Sequence, residues 1–208
     1  MKSLLVLTRP EMQSREIAAA LGPEVAAIIS PVMRIVAKTD LPDLGPYSGV
    51  ILTSANGVVS GLDLTKKRAY CVGKRTAQAA TEAGADLRLT ARDADDLVSR
   101  IEGPGPLLHL RGEHARGHIA ERLNSAGLET HEAVVYAQEA LPLIREALDA
   151  LAGDAPVVLP LYSPRSARLI GAQIGMLGGQ VRTIAMSAAV AKEWAQTTGG
   201  AALIVPVP

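Results

Sequence analysis

GVILTSANG, residues 49–57, and AYCVGKRTAQAATEAGADLRLT, residues 69–90, decide the fold. Val50-Ile51-Leu52 and Tyr70-Cys71-Val72 are continuous apolar runs without polar alternation, the signature of strands covered on both faces. The first run ends at Thr53-Ser54 and the second at Gly73, residue types that start helices. The Ala-rich run behind Gly73 is a good helix former, and DLRLT restores the strand signal. Strands alternating with helices in this way predict a parallel sheet wound on both faces.

The same unit, a short apolar run ending in small, hydroxylic or basic residues, occurs six times. The other four are LLVLTRP from Leu4, PLLHLRGEH from Pro106, VVLPLYSPRSA from Val157 and TIAMSAAVA from Thr183. Additional strand-like runs are AAIISPV, DLRLTA, HEAVVYA and ALIVPVP. Residues 49–90 and 157–205 also follow one order of strand, serine-containing turn, helix, strand, small-residue turn, helix and strand. Ser54 corresponds to Ser163 and Gly73 to Ser187, a likeness of pattern that points to two similar lobes.

Composition narrows the function. The 208 residues hold 21 Lys+Arg against 21 Asp+Glu, so no global field recruits nucleic acid or a membrane surface. Aromatic residues are 2% of the chain, with no Phe, which argues against base-stacking platforms. Cys71 is the single cysteine, which excludes an internal disulfide and suits a reducing compartment. MKSLLVLTRP is too short an apolar run for a signal peptide, and charges or Gly/Pro interrupt every other apolar run. A cytoplasmic protein is expected.

Strand-to-helix turns of a parallel sheet lie at its carboxyl edge, where such folds bind ligands, and each turn offers free N–H groups at the positive end of a helix. Six such turns around a cleft suit a polyanion. The alternative at any one turn is a plain helix cap. Arg9, Arg111, Arg116 and Arg165 lie at or just after these turns, where the macrodipole disfavours a cation unless an anion binds between. Thr8, beside Arg9, belongs to the same candidate set.

Other chemistry fails on spacing. Gly73-Lys74 lacks the rest of a P-loop, and Gly103-Pro104-Gly105 is a turn before a strand, unlike a dinucleotide fingerprint. Ser54, Ser163 and Ser187 lack the GxSxG elbow. His114 and His118, four apart, are expected on one solvated helix face, with no third ligand and no metal. His109 inside an apolar run reads as a satisfied core histidine and Cys71 as core filler. The acids Asp93 to Asp96 read as the first turn of a helix.

Along almost its whole length the chain resembles the bacterial uroporphyrinogen-III synthases. The resemblance rests on LTRP, SPVMRIVA, GVILTSANGV, YCVGKRTAQAATEAG, LHLRGEHARGHIAERLNSAG, VVYAQE, YSPRSARL and IAMSAAVAKEW, in this order and spacing. It implies an α/β fold of two similar doubly wound parallel-sheet lobes joined by a two-stranded connector. Lobe one would be residues 1–34 with 139–208, lobe two 39–129, and the connector strands 35–38 and 130–138.

By the same resemblance the substrate is hydroxymethylbilane, a linear tetrapyrrole with many carboxylates, and no cofactor or metal is required. A monomer is expected, with transient contact to the preceding enzyme of the pathway. Substrate contacts are implied at Thr53, Ser54, Gly73, Thr76, Arg111, Gly112, Arg116 and Ser163. Tyr136 matches the connector tyrosine that is a candidate for assisting departure of the substrate hydroxyl; without the resemblance it reads as an amphipathic tyrosine on an exposed strand. Where relatives often carry a Gly-Pro-Thr-Thr-like run, this chain has Ser187-Ala188-Ala189-Val190, leaving Ser187 and backbone N–H groups as donors. Asn56 stands where some relatives have arginine, and Arg165 lies in the other lobe. The departure at Ser187 keeps a second reading open, a two-lobed polycarboxylate-binding or regulatory protein without turnover.

Overall fold

A computed structural model describes residues 3–114 and 117–205. Along the chain run β1 (Leu4–Leu7), α1 (Glu11–Leu21), β2 (Ala27–Ile29), β3 (Met33–Ala37) and β4 (Gly49–Leu52). A 3-10 turn (Ala55–Gly57) leads to β5 (Arg68–Val72), α2 (Lys74–Glu82), β6 (Asp86–Ala91), α3 (Ala94–Arg100), β7 (Leu107–Gly112) and α4 (Ile119–Ser125). Then follow β8 (Thr130–Ala140), α5 (Arg145–Ala152), β9 (Val157–Leu161), α6 (Pro164–Gly171), β10 (Val181–Ala185), α7 (Ala188–Thr198) and β11 (Leu203–Ile204). The chain divides into two compact units, residues 1–34 with 139–208 and residues 35–138. The boundaries between them fall inside β3 and β8.

The first unit holds a five-stranded sheet in the order β2-β1-β9-β10-β11, every neighbouring pair parallel. Counted within the unit this is 2-1-3-4-5, so strand order reverses between β1 and β9. The pairs Leu4–Val157 and Leu5–Val158 join those two strands, and their ladder ends before Pro160. Proline lacks an N–H, so a proline in a central strand is tolerable where pairing on one side has stopped. On the other side β9 stays paired with β10 through Leu161–Ala185. The core joins Val6, Leu159 and Leu161 of the sheet to Ala147 and Leu151 of α5, Ile170 of α6 and Trp194 of α7.

The second unit holds a six-stranded sheet in the order β3-β8-β7-β4-β5-β6. From β8 to β6 all pairs are parallel. Lys38 N–H donates to Val135 O and Leu141 N–H to Val32 O, so partner numbers rise on β8 as they fall on β3, the antiparallel sense. Leaving β3 aside, the order is 3-2-1-4-5 and reverses between β4 and β7. Val50, Leu52, Ala69 and Cys71 face α2 (Ala77, Ala80), while Ile51, Tyr70 and Leu107 face α3 (Leu97) and α4 (Ile119, Leu123). Period-two alternation of wholly apolar strands between two helical layers is why the runs carried no polar alternation.

Four of the six expected strand-to-helix turns lead straight into a helix: those before α1, α2, α6 and α7. The other two differ. Behind GVILTSANG only the three-residue 3-10 turn forms, because Gly57, Val58, Val59 and Gly61 are poor helix formers. Behind β7 the chain runs on to His118 before α4 begins, with His118 itself left-handed (φ 46°).

Candidate functional site

The reversal between β4 and β7 places Thr53 and Ser54, which follow β4, beside Arg111 and Gly112, which end β7; Leu52 pairs with Leu110 just before them. Ser54 Oγ accepts from Asn56 N–H (3.2 Å), capping the 3-10 turn. Thr53 Oγ1 lies 3.3 Å from His109 Nε2, and His109 Nδ1 lies 3.3 Å from Glu132 Oε1. Arg111 Nε donates to the other oxygen of Glu132 (2.9 Å), and the same guanidinium donates to Gly112 O (3.0 Å). Register explains the chain of contacts: His109 on β7 is the cross-strand partner of Glu132 on β8. His109 is 1% exposed. Burial holds its imidazole below the usual histidine range; Glu132 works against this and Arg111 adds to it.

Tyr136 lies across Gly112. A Cβ on Gly112 would stand 2.5 Å from Tyr136 Cε2 and 2.9 Å from its hydroxyl oxygen, so only glycine admits the ring there. The pairing that brings them together follows a register shift between Arg111 and Gly112, after which Gly112 faces Tyr136. At 7% exposure Tyr136 is a core residue, which corrects the reading of an amphipathic tyrosine on an exposed strand.

One strand further on, Leu52 pairs with Cys71, so the turn at Gly73 leaves the same edge as Thr53-Ser54. Gly73 caps α2 without a side chain (φ 83°), its N–H donating to Ala91 O (2.8 Å), and Thr76 is buried in the first turn of the helix.

In the first unit the reversal between β1 and β9 carries Thr8, Arg9 and Ser163. The Arg9 guanidinium carbon sits 4.7 Å from the centroid of the Tyr162 ring, and its Nε donates to Gln13 Oε1 (2.8 Å). Burial pushes the Tyr162 phenol up, with Arg9 opposing. Ser163 and Ser166 form a capping box at α6, with Pro164 in the first turn and Arg165 next to it. Ser187 caps α7 by accepting from Val190 N–H (3.4 Å). Thr8 is 1% exposed, and its hydroxyl has no hydrogen-bond partner among the described residues. A buried hydroxyl in that state at a carboxyl edge is suited to completion by a ligand group or an ordered water.

Thus Thr53, Ser54, Arg111, Gly112 and Tyr136 gather at one reversal of the second unit, with Gly73 and Thr76 beside them. Thr8, Arg9, Ser163, Arg165 and Ser187 belong to the first unit's carboxyl edge. Arg116 lies outside the described residues. Arg111 departs from its expected setting: it is on a strand, and Glu132 balances its charge, so no helix end needs an anion to make it comfortable. His114 and His118 do not share a helix face, since α4 starts only at Ile119. No group of three His, Cys, Asp or Glu among the described residues is placed to hold a metal ion, and no described helix is long and apolar enough to cross a membrane. Cys71 is buried in β5, its thiol pushed up to about 11 by burial, which leaves it poorly reactive. Asp93 does cap α3, accepting from Asp96 N–H.

Sequence reasoning passed over Glu132 and treated His109 as core. The available signal was a histidine two residues before Arg111 in an otherwise apolar strand, but its partners are set by cross-strand register.

Chains of known structure share this architecture. Uroporphyrinogen-III synthetase from Helicobacter pylori superposes with a TM-score of 0.71 at 16% identity, covering 98% of this chain and 92% of that one. A mutant uroporphyrinogen III synthase from the extremely thermophilic bacterium Thermus thermophilus gives 0.58 at 15% identity, covering 99% and 92%. Both likenesses show the fold. No match was found among curated protein sequences. A sequence profile described as uroporphyrinogen-III synthase HemD matches residues 15–206, a range that takes in the whole reversal between β4 and β7. By that match over nearly its full length, the chain belongs to the uroporphyrinogen-III synthase family.

Proposed function

We propose that this chain closes hydroxymethylbilane to uroporphyrinogen III with loss of water, a lyase step of porphyrin and heme biosynthesis. The observation that carries the reading is the grouping of Thr53, Arg111, Gly112 and Tyr136 at one strand-order reversal in a member of this family. The substrate's hydroxymethyl C–O bond breaks with its electron pair on oxygen, the oxygen takes up a proton and leaves as water, and the adjoining pyrrole gives up its N–H proton to become an azafulvene. The substituted carbon of ring D adds to it, the spiro intermediate fragments, and reclosure with ring D inverted and loss of a proton restores the pyrroles. What such a reaction needs most is a chain folded so that its ends meet, which rigid sheet edges and fixed donors supply.

Tyr136 is the residue we assign to the departing hydroxyl, as a hydrogen-bond donor. Its ring packs against Gly112 and is 7% exposed, so packing restrains the phenol. Helix ends capped by Ser163, Ser187 and Gly73 offer N–H groups suited to carboxylates. One feature favours a non-catalytic polycarboxylate binder: Ser187 spends its oxygen on Val190 N–H, and Ala188, Ala189 and Val190 bring no hydroxyl. The isomer formed from hydroxymethylbilane decides between them. Type III product is expected; type I alone, the product of spontaneous closure, would leave the binder.

A further inference from the structure

Thr53 makes its contact through the half of the hydroxyl that can be settled by chemistry. Glu132 accepts from Arg111 on one oxygen and faces His109 Nδ1 with the other. A carboxylate only accepts, so Nδ1 carries the proton toward it. In a neutral imidazole Nε2 is then an acceptor, and the Thr53 hydroxyl, 3.3 Å away, is the donor that meets it.

We propose that His109 is a positioning residue that fixes the polarity of Thr53: held by Glu132, it takes the only proton of the Thr53 hydroxyl, so Thr53 offers lone pairs to an N–H of the ligand. Resting on the reading above, that N–H is a pyrrole of the tetrapyrrole. Thr53 is thereby assigned to the ring backbone of the substrate and not to a carboxylate. For a carboxylate to accept from Thr53, His109 would have to gain a proton and donate from Nε2 instead.

The surroundings keep the imidazole neutral. The charged groups facing it are Glu132 on β8 and Arg111 on β7, which offset one another. On the same face of the sheet, α3 and α4 present the apolar Leu97, Ile119 and Leu123. Desolvation therefore decides, and it disfavours the cation.

Glu132→Gln reverses the arrangement by a forced sequence of donors. The Arg111 guanidinium has no acceptor, so the new amide must turn its oxygen to Arg111 and its NH2 to His109. Nδ1 then accepts, Nε2 carries the proton, and the Thr53 proton is released toward the ligand. Long-range 1H–15N correlation spectra of the full, ligand-free chain at neutral pH read the tautomer directly. The Nδ1–H form is expected in the parent and the Nε2–H form in Glu132→Gln. A parent His109 that is Nε2–H or cationic overturns the proposal without any variant, as does an unchanged tautomer in folded Glu132→Gln. In kinetics with hydroxymethylbilane, Thr53→Ser should keep the parental KM, while Thr53→Val should raise it about five-fold, the worth of one ordinary hydrogen bond. Equal KM values in all three also overturn it. A parent that forms no type III product sinks the proposed function instead, and the tautomer measurement stays readable.

Discussion

The two units use one architecture and finish it differently. In the second, the β4–β7 ladder is complete from Gly49–Leu107 to Leu52–Leu110, and at its end Thr53, His109, Glu132 and Arg111 satisfy one another. In the first, the β1–β9 ladder stops at Val158, and the buried Thr8 hydroxyl beyond it has no partner among the described residues. A strand-order reversal therefore supplies only the place for a site; whether its polar groups are closed within the protein or left for something else is written in the residues after the strands. The unit with internal partners should show changes in turnover and pH response, with KM moved at Thr53, and the unit with the open hydroxyl should show changes in affinity.

The largest expected effect is on Tyr136. Tyr136→Phe keeps the ring over Gly112 and removes the hydroxyl, so turnover should fall roughly ten- to a few hundred-fold with substrate affinity nearly unchanged. Steady-state kinetics with hydroxymethylbilane test this, and parental turnover would end the catalytic assignment. Next comes Gly112→Ala, whose methyl would meet the ring at 2.5 Å. Overpacking of this kind typically costs about 1–3 kcal/mol, which urea unfolding would register. A variant as stable as the parent would mean that the ring does not lie across Gly112.

How much of this could be read in the sequence follows from what each feature depends on. The parallel doubly wound sheets were legible because burial on both faces removes polar alternation, as in Val50-Ile51-Leu52. The caps at Ser163 and Ser187 were legible because a cap depends on residues within one turn. The missing helix behind Ser54 was misread: Ala55-Asn56 opens like a helix, but a Cβ on Gly57 would meet Leu52 Cδ2 at 2.8 Å and Leu110 O at 3.0 Å, so the turn hugs the sheet. The His109–Glu132 contact spans 23 residues and depends on strand register, which local pattern cannot supply. The same holds for Arg111, judged from its neighbours in sequence as a cation at a helix end when its partner lies on the next strand.

The pH response sharpens the comparison from the side of the second unit. Burial lowers the folded-state pKa of His109 below its ordinary value of 6.5. As pH falls through that value the unfolded chain takes up a proton that the folded chain refuses, so stability is lost toward acid and is fully present above it. The slope from one such group cannot exceed about 1.4 kcal/mol per pH unit. Urea unfolding between pH 8 and pH 5 should show this loss in the parent and a smaller one in His109→Leu. Equal slopes would show that His109 protonates as readily folded as unfolded.

The smallest effect is expected at Thr8, and its sign is what matters. Thr8→Val removes a buried hydroxyl that has no partner among the described residues and keeps the shape of the side chain. Leaving such a group unsatisfied carries a desolvation penalty, so the valine variant should be more stable by about 1 kcal/mol. In the second unit Thr53→Val should do the reverse, because it strips the donor from His109 Nε2 and leaves a buried acceptor bare. Opposite signs from one substitution at the two threonines that follow β1 and β4, measured by urea unfolding of the ligand-free chain, are the signature of one open and one closed reversal point. Binding separates the cause: if the Thr8 hydroxyl awaits a ligand group, Thr8→Val should weaken hydroxymethylbilane binding several-fold while it stabilises the free protein. A valine variant that is destabilised would mean that an ordered water already satisfies Thr8, and the contrast between the two units would then lie in solvation and not in readiness for substrate.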